Sequence, residues 1–260
     1  MDLGLSGKRC VVTGASSGIG RATAELLAAE GARLLLVARD AGRLAAAAPP
    51  GAELLPADVT DMDAGERIAV ACVERLGGID ALVNDAGTSS VTPLDALTEE
   101  DWEEQWQLNV RGPERLMRAA APRMAAQGWG RIVNVCSTSG KRPSLRNAAY
   151  SVTKAAQLSL SRAYADAWAR RGVLVNAVAP GLTASTLWHG EGGLADQTVA
   201  AGRAADREEA IAAAAARLPL GRFAEPAEIA AVIAFLCSER ASDVVGAAWS
   251  VDGGAVPVIL

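Results

Sequence analysis

Seven short segments of this 260-residue chain are almost continuously apolar, and most are followed by a helical pattern. They are Arg9–Thr13, Arg33–Val37, Glu53–Pro56, Asp80–Asn84, Arg131–Val135, Val173–Val178 and Ala248–Val251. Between them lie helical patterns at Gly18–Glu30, Asp40–Ala48, Met62–Leu76, Thr98–Ala126 and 150–171, with a further one at Glu225–Cys237. A strand that is apolar along its whole length has no face for water. The alternation therefore predicts an α/β, doubly wound fold, with a mainly parallel sheet of about seven strands covered by helices on both faces.

In such a fold the right-handed crossovers and the reversal of strand order place ligands at the carboxyl ends of the strands. The loops that follow strands are then the informative ones. After Pro180 the regular alternation breaks: residues 183–220 hold Gly190, Gly192, Gly193 and Gly202 among charges, then the alanine-rich stretch Glu208–Arg217. A segment of this length at the ligand edge reads as a lid with its own helices. The sequence shows no internal repeat or interdomain linker, so residues 1–260 are expected to form one domain.

Charge and composition exclude several function classes. The net charge is −5 with no basic run, which gives no attraction for nucleic acid or an anionic membrane surface. The first residues lack the apolar core of a signal peptide and no run of eighteen apolar residues follows, so a cytoplasmic protein acting on a small molecule is expected. Cys10, Cys72, Cys136 and Cys237 are scattered without metal-ligand spacing and read as reduced, buried thiols. With His189 as the single histidine, a Cys/His zinc site is not expected.

Two stretches carry chemistry. Thr13-Gly14-Ala15-Ser16-Ser17-Gly18-Ile19-Gly20 joins the first strand to the first helix. Glycines there let backbone approach a pyrophosphate, and the helix start supplies unsatisfied N–H groups. Its G-x-x-x-G-x-G spacing differs from the commoner dinucleotide fingerprint, and the Gly-Lys-Ser/Thr ending of a P-loop is missing. The second stretch is Ser137, Tyr150 and Lys154. On a helix, positions four apart share a face, so the Lys154 ammonium approaches the Tyr150 phenol and favours its ionised form. Lowering a phenol from its usual ~10 by ~3 units needs on the order of 4 kcal/mol, more than one lysine supplies, so a second positive charge is wanted. An oxidised nicotinamide would provide it. Only three of the 25 basic residues are lysine, so the lysine at 154 is either a choice of compact ammonium or chance.

Taken together, Thr13-Gly14-x-x-x-Gly18-x-Gly20, Asn84-Asp85-Ala86-Gly87, Asn109, Ser137, Tyr150-x-x-x-Lys154 and Asn176-x-x-x-Pro180-Gly181 follow the order typical of the short-chain dehydrogenase/reductase family. Pro219-Leu220-Gly221-Arg222 and Val251-Asp252-Gly253-Gly254 extend the resemblance to nearly the whole chain, whose overall pattern resembles that of 3-oxoacyl-acyl-carrier-protein reductases. The resemblance implies a Rossmann fold in which Gly14, Ser16, Gly18, Ile19 and Gly20 line the pyrophosphate and nearby ribose, and Asp58 and Val59 meet the adenine. Asn84, Ala86 and Gly87 would lie along the cofactor, and Pro180, Gly181 and Thr183 would border the nicotinamide. It implies further that Ser137 binds the substrate oxygen, Tyr150 exchanges its proton, Lys154 tunes Tyr150 and holds the ribose, and Asn109 anchors a water leading to solvent. Asp85 departs from the usual Asn-Asn, which puts local hydrogen bonding in question.

At the end of the second strand, where an acid would bind a ribose 2′-hydroxyl, this chain has Ala38 followed by Arg39. An arginine suits a 2′-phosphate, which favours NADP(H) over NAD(H), with Asp40 the competing choice if the register shifts by two. Ser139 and Ser151 compete with Ser137, whose register to Tyr150 ranks it first. Cys136 is taken as a small buried residue and His189 as a lid residue; Trp188 either faces substrate or packs the lid, and Ser185 keeps a hydroxyl where relatives have threonine. The expected function is interconversion of a secondary alcohol and a ketone by hydride transfer. The alternatives are a non-catalytic dinucleotide-binding regulatory or scaffold protein, which typically loses the tyrosine or lysine, and an epimerase or dehydratase, against which the glycine spacing argues. A homo-oligomer, tetramer or dimer, packed through helices 98–126 and 150–171 is expected on the resemblance alone.

Overall fold

A computed structural model describes residues 2–89 and 91–257. Its centre is a seven-stranded sheet in the order β3-β2-β1-β4-β5-β6-β7, with β1 Arg9–Thr13, β2 Arg33–Ala38, β3 Glu53–Pro56, β4 Ala81–Asn84, β5 Gly130–Val135, β6 Val173–Pro180 and β7 Ala248–Val251. Every pairing is parallel. The order reverses between β1 and β4, and the crevice at that reversal is where this class of sheet takes its ligand.

Alternate residues of each strand feed two separate cores. Val11, Leu35, Val37 and Ile132 join Ile68 and Cys72 of α3 (Ala64–Leu76) and Leu116, Met117 and Met124 of α5 (Gly112–Ala126). On the other face Cys10, Val12, Leu34, Leu36 and Val133 meet Ala24 and Leu27 of α1 (Gly18–Ala29) and Ile229 and Ile233 of α10 (Pro226–Cys237). The strands read as unbroken apolar runs because both faces are covered, each large side chain contributing roughly 1.5–3 kcal/mol of burial. The remaining helices are α2 (Ala41–Ala47), α4 (Glu99–Trp106), α6 (Ala148–Trp168), and, within the expected lid, α7 (Thr186–His189), α8 (Leu194–Ala200) and α9 (Arg207–Ala215).

Several boundaries differ from the sequence expectation for identifiable reasons. The single helix expected over 98–126 is interrupted by a π-type turn at Gln107–Arg111, where the Gly112 N–H reaches back five residues to the Gln107 carbonyl. Pro113 follows, and without an N–H it leaves the Asn109 carbonyl lacking its ordinary helical donor. The helix expected over 150–171 begins earlier, at Ala148, and its last residues Ala169–Arg171 tighten to 3-10 before Gly172 turns left-handed. The helix expected from Met62 starts at Ala64, and Asp80 lies just outside β4, its carboxylate engaged by Arg9.

Candidate active site

The ends of β1, β4, β5 and β6 open onto one groove of about 760 Å³, within the range of ordinary ligand pockets. Of the residues singled out from the sequence it is lined by Gly14, Ser16, Gly18, Ile19, Arg39, Asp58, Val59, Ala86, Gly87, Ser137, Tyr150, Lys154, Pro180, Gly181 and Thr183. Gly20, Asn84 and Asn109 lie behind its wall. Asn84 is buried and donates from Nδ2 to Asn134 Oδ1 at 2.8 Å, so its side chain braces β4 against β5 beneath the groove.

The glycine-rich turn is shaped by close approach. Gly14 has φ +70°, and a β-carbon there would stand 2.9 Å from the Ala86 nitrogen, so a side chain is excluded by backbone. Thr13 ties the turn to the β4 loop, its Oγ1 accepting the N–H groups of Asp85 and Ala86 at 3.1 and 3.2 Å. A turn with this backbone freedom opening a twelve-residue helix fits a pyrophosphate.

At the adenine end Arg39 stands exposed, its Nη1 3.9 Å from Asp58 Oδ2. Asp40 is used differently: its Oδ1 accepts the Arg43 N–H at 2.8 Å and caps α2, and it does not line the groove. Capping by Asp40 brings Arg43 to the groove wall beside Arg39. Sequence reasoning missed Arg43, because only the start of α2 after Asp40 shows that it reaches the groove.

At the chemical end Ser137, just past β5, is nearly buried, and its Oγ accepts the Ser139 N–H at 3.1 Å. Tyr150 stands in the first turn of α6. Burial pushes its phenol up to about 12, against a hydrogen bond with Ser137 that favours the ionised form. Lys154 is buried, and its Nζ donates at 2.9 Å to both the Val135 carbonyl and Gln157 Oε1, lying 5.6 Å from the centre of the Tyr150 ring. The lysine therefore does not bring the phenol down by itself, as the energy argument from the sequence anticipated. Gln157, its buried partner one turn on, was not singled out, because only the packed helix shows it facing the ammonium.

Asn109 is fully buried within the π-type turn. Its Nδ2 donates to Gln105 Oε1 at 2.8 Å and Thr153 Oγ1 at 3.1 Å, whereas Oδ1 has no partner among the described residues. That oxygen and Lys154 Nζ lie 3.5 and 3.7 Å from where a Gly87 β-carbon would stand, so both converge on the same side of Gly87.

Of the two competing serines, one lies off the groove and one on it. Ser151 is buried, and its Oγ donates to Asn147 Oδ1 at 3.1 Å while accepting from the Ser144 nitrogen, away from the groove. Ser139 does line the groove. Trp188 both lines it and packs edge-on against Phe223 at 5.1 Å, whereas His189 stacks on Phe223 at 5.4 Å and does not line it. Ser185 lines it beside Gly18. Asn147 and Gln197, which the sequence did not single out, add carboxamides to the wall. Cys10, Cys72, Cys136 and Cys237 are buried and unpaired, and among the described residues no cluster of His, Cys, Asp or Glu suits a metal. No described helix is long and apolar enough to cross a membrane.

Comparison with known proteins shows what this chain is similar to. Residues 14–256 match the family described as enoyl-(acyl carrier protein) reductase. Galactitol 2-dehydrogenase of Agrobacterium fabrum is 35% identical over 254 residues, covering 96% of this chain and 98% of the relative. The 3-oxoacyl-acyl-carrier-protein reductase of Thermotoga maritima is 34% identical, covering 97% and 99%. Among solved structures, L-sorbose reductase from Gluconobacter frateurii, complexed with NADPH and L-sorbose, is 37% identical with a TM-score of 0.92 over the full length of both chains.

Proposed function

This chain belongs to the short-chain dehydrogenase/reductase family, and from that premise we propose that Ser137, Tyr150 and Lys154 are its catalytic residues, with Asn109 completing the set. The protein is an NAD(P)-dependent oxidoreductase that interconverts a secondary alcohol and a ketone. The observation that supports the assignment most directly is the meeting of Ser137 and Tyr150 in the same groove wall as the glycine-rich turn.

The nicotinamide cofactor supplies or accepts the hydride. Ser137 binds the substrate oxygen, and the Tyr150 hydroxyl gives that oxygen a proton in reduction or takes it in oxidation. Lys154, held by Val135 and Gln157, keeps an ammonium beneath the groove, and Asn109 offers Oδ1 as an acceptor on the path behind it. Gly14, Ser16, Gly18 and Ile19 are assigned to the pyrophosphate, with Gly20 and Asn84 supporting from behind. Asp58 and Val59 are assigned to the adenine, and Ala86, Gly87, Pro180, Gly181 and Thr183 to the nicotinamide side. Arg39, with Arg43 beside it and Asp40 turned away, supports NADP(H) as the preferred cofactor, since two guanidinium groups suit a 2′-phosphate.

The groove beyond Tyr150 combines Trp188 and Leu187 with the carboxamides of Asn147 and Gln197, and relatives that act on galactitol and L-sorbose share the fold. A hydroxylated ketone or polyol is the substrate class we assign. Residues 183–220 act as the lid: Thr186 Oγ1 reaches Ser17 Oγ at 3.3 Å on one side of the groove, and Gln197 Oε1 accepts the Val91 N–H at 2.8 Å on the other. Exposed Trp106 on α4 and Val152 on α6 support a homo-oligomer packed through these helices. Cytoplasmic location is part of the same reading.

The test is spectrophotometric. NADPH oxidation across a panel of ketoses and simple ketones is expected to show turnover that Tyr150→Phe lowers by about 10²-fold or more. NADPH binding without turnover on any carbonyl or alcohol of the panel would overturn the catalytic assignment.

A further inference from the structure

We propose that Asp85 is a proton-linked cofactor residue: a dinucleotide occupies the glycine-rich turn only when the Asp85 carboxyl is neutral, so binding draws a proton from solvent onto Asp85 wherever that group is ionised. The proposal rests on the dinucleotide reading of this groove.

Asp85 follows β4 and lines the groove, at the position where the family's usual motif has a second asparagine. Its side chain turns toward the start of α1. Oδ2 lies 2.6 Å from where a Gly20 β-carbon would stand, with the Gly14 carbonyl oxygen 2.5 Å from the same point, and the nearby Gly20 N–H favours the carboxylate form. The backbone cannot carry it away, because Thr13 Oγ1 holds the N–H groups of Asp85 and of Ala86. The partial positive charge at the α1 N-terminus, which suits a pyrophosphate, thus already faces a carboxyl of the protein itself, an anion whenever that carboxyl is ionised. Two anions at one helix start repel each other. Protonation removes one of them and turns an acceptor into an O–H donor. An asparagine would fill the same space with no charge to neutralise.

The surrounding charges do not cancel this conflict. From α6 Asp85 is faced by the Lys154 ammonium, which favours its anion, and by the Tyr150 phenol. At the end of β5 stands the Cys136 thiol, which burial pushes up to about 12 and keeps neutral. On α1 the neighbouring Arg21 is half exposed and paired with Glu25 at 2.7 Å. The lid contributes the uncharged Ser185 and Thr186 near Gly18 and Ser17. Burial outweighs the attraction of Lys154 and the Gly20 N–H and carries the Asp85 carboxyl up to about 8. The free protein therefore holds the proton at neutral pH and loses it as pH climbs through that value. A bound pyrophosphate strengthens the hold, so affinity falls above it, by up to about tenfold per pH unit.

Calorimetric titration of NADPH into the intact protein, at pH 6.5 to 9.0 in two buffers of different ionisation enthalpy, counts the protons. Uptake is expected to rise from near zero at the low end to about half a proton near pH 8 and toward one above it, with Kd rising in parallel. Asp85→Asn should bind with no uptake and a Kd flat across the window, about tenfold tighter than wild type at the high end. The NADPH 2′-phosphate titrates near ~6, below this window, and NADH repeats the count without it. Wild-type binding without uptake, or uptake that survives in Asp85→Asn, would overturn the proposal. If Asp85→Asn does not melt cooperatively, Asp85→Ser takes its place, and the wild-type proton count decides without either variant. Absence of NADPH and NADH binding by wild type at every pH is a distinct result: it removes the dinucleotide reading, and the proposal with it.

Discussion

The Lys154 ammonium is anchored by Gln157, its Nζ donating to Oε1 at 2.9 Å, three residues along the same buried face of α6. Hydrogen bonds to a charged group are worth about 1.5–3 kcal/mol, more than between neutral partners. Gln157→Leu leaves the ammonium with only the Val135 carbonyl. It is expected to lower stability by about 2 kcal/mol, seen in urea denaturation, and to reduce kcat at saturating cofactor. Gln157→Glu, which keeps an acceptor, should restore more of the stability than Gln157→Leu does.

Arg39 and Arg43 line the groove, whereas Asp40 between them caps α2, so the proposed cofactor site predicts different outcomes for the three. Arg39→Ala and Arg43→Ala should each raise the KM for NADPH by about tenfold or more, the scale of a lost charge-assisted hydrogen bond, and leave NADH little changed. Asp40→Ala should cost about 1 kcal/mol of stability through loss of the α2 cap, without shifting the NADPH to NADH ratio. A change of that ratio in Asp40→Ala would place Asp40 in the cofactor site.

These contrasts show where the sequence was legible. Apolar runs specify the sheet because both faces are buried, and the glycine spacing and the Ser137, Tyr150 and Lys154 register point to the proposed site because each lies at a strand end or on a helix face. Asp40 and Arg39 could not be separated by pattern alone. Which of them faces the groove depends on Asp40 capping α2, a three-dimensional event. Gln157 was equally hidden, since an apolar-patterned helix says nothing of which buried polar residue meets Lys154. The π-type turn at Gln107–Arg111 was written in Gly112-Pro113, but a helical period extends over it unless the missing proline N–H is counted.

The pair Arg9 and Asp80 makes acid stability measurable. Burial alone would raise the Asp80 carboxyl, but hydrogen bonds from the Arg9 guanidinium and backbone N–H hold it below its ordinary 3.8. A carboxylate depressed on folding stabilises above its unfolded value and loses that contribution as pH falls through the folded one. Asp80→Asn should therefore lower Tm at neutral pH, and the gap to wild type should close in titrations carried below about pH 4.

Lid closure should limit release. Gln197 joins α8 to the β4 loop through Val91 and to its own lid through the Gly192 carbonyl, at 2.8 and 3.0 Å. Gln197→Ala is expected to raise the substrate KM several-fold and to speed cofactor dissociation in stopped-flow traces, since the proposed lid loses its tie to Val91. Unchanged dissociation would assign Gln197 to substrate contact alone.

The raised phenol of Tyr150 has a direction that kinetics can read. A group at about 12 in the free protein stays protonated through the neutral range, which is the form that gives a proton to a ketone oxygen. Reduction should thus show kcat/KM with no loss from phenol ionisation up to about pH 9, once the NADPH concentration saturates. Alcohol oxidation needs the ionised phenol and should rise with pH across the same range. Tyr150→Phe should lower both directions by about 10²–10⁴-fold while leaving NADPH binding intact, as expected for a group that moves a proton and not one that holds the cofactor's phosphates. A Tyr150→Phe variant with wild-type rates would transfer the acid/base role to another groove hydroxyl, and Ser139, which also lines the wall, is the residue to change next.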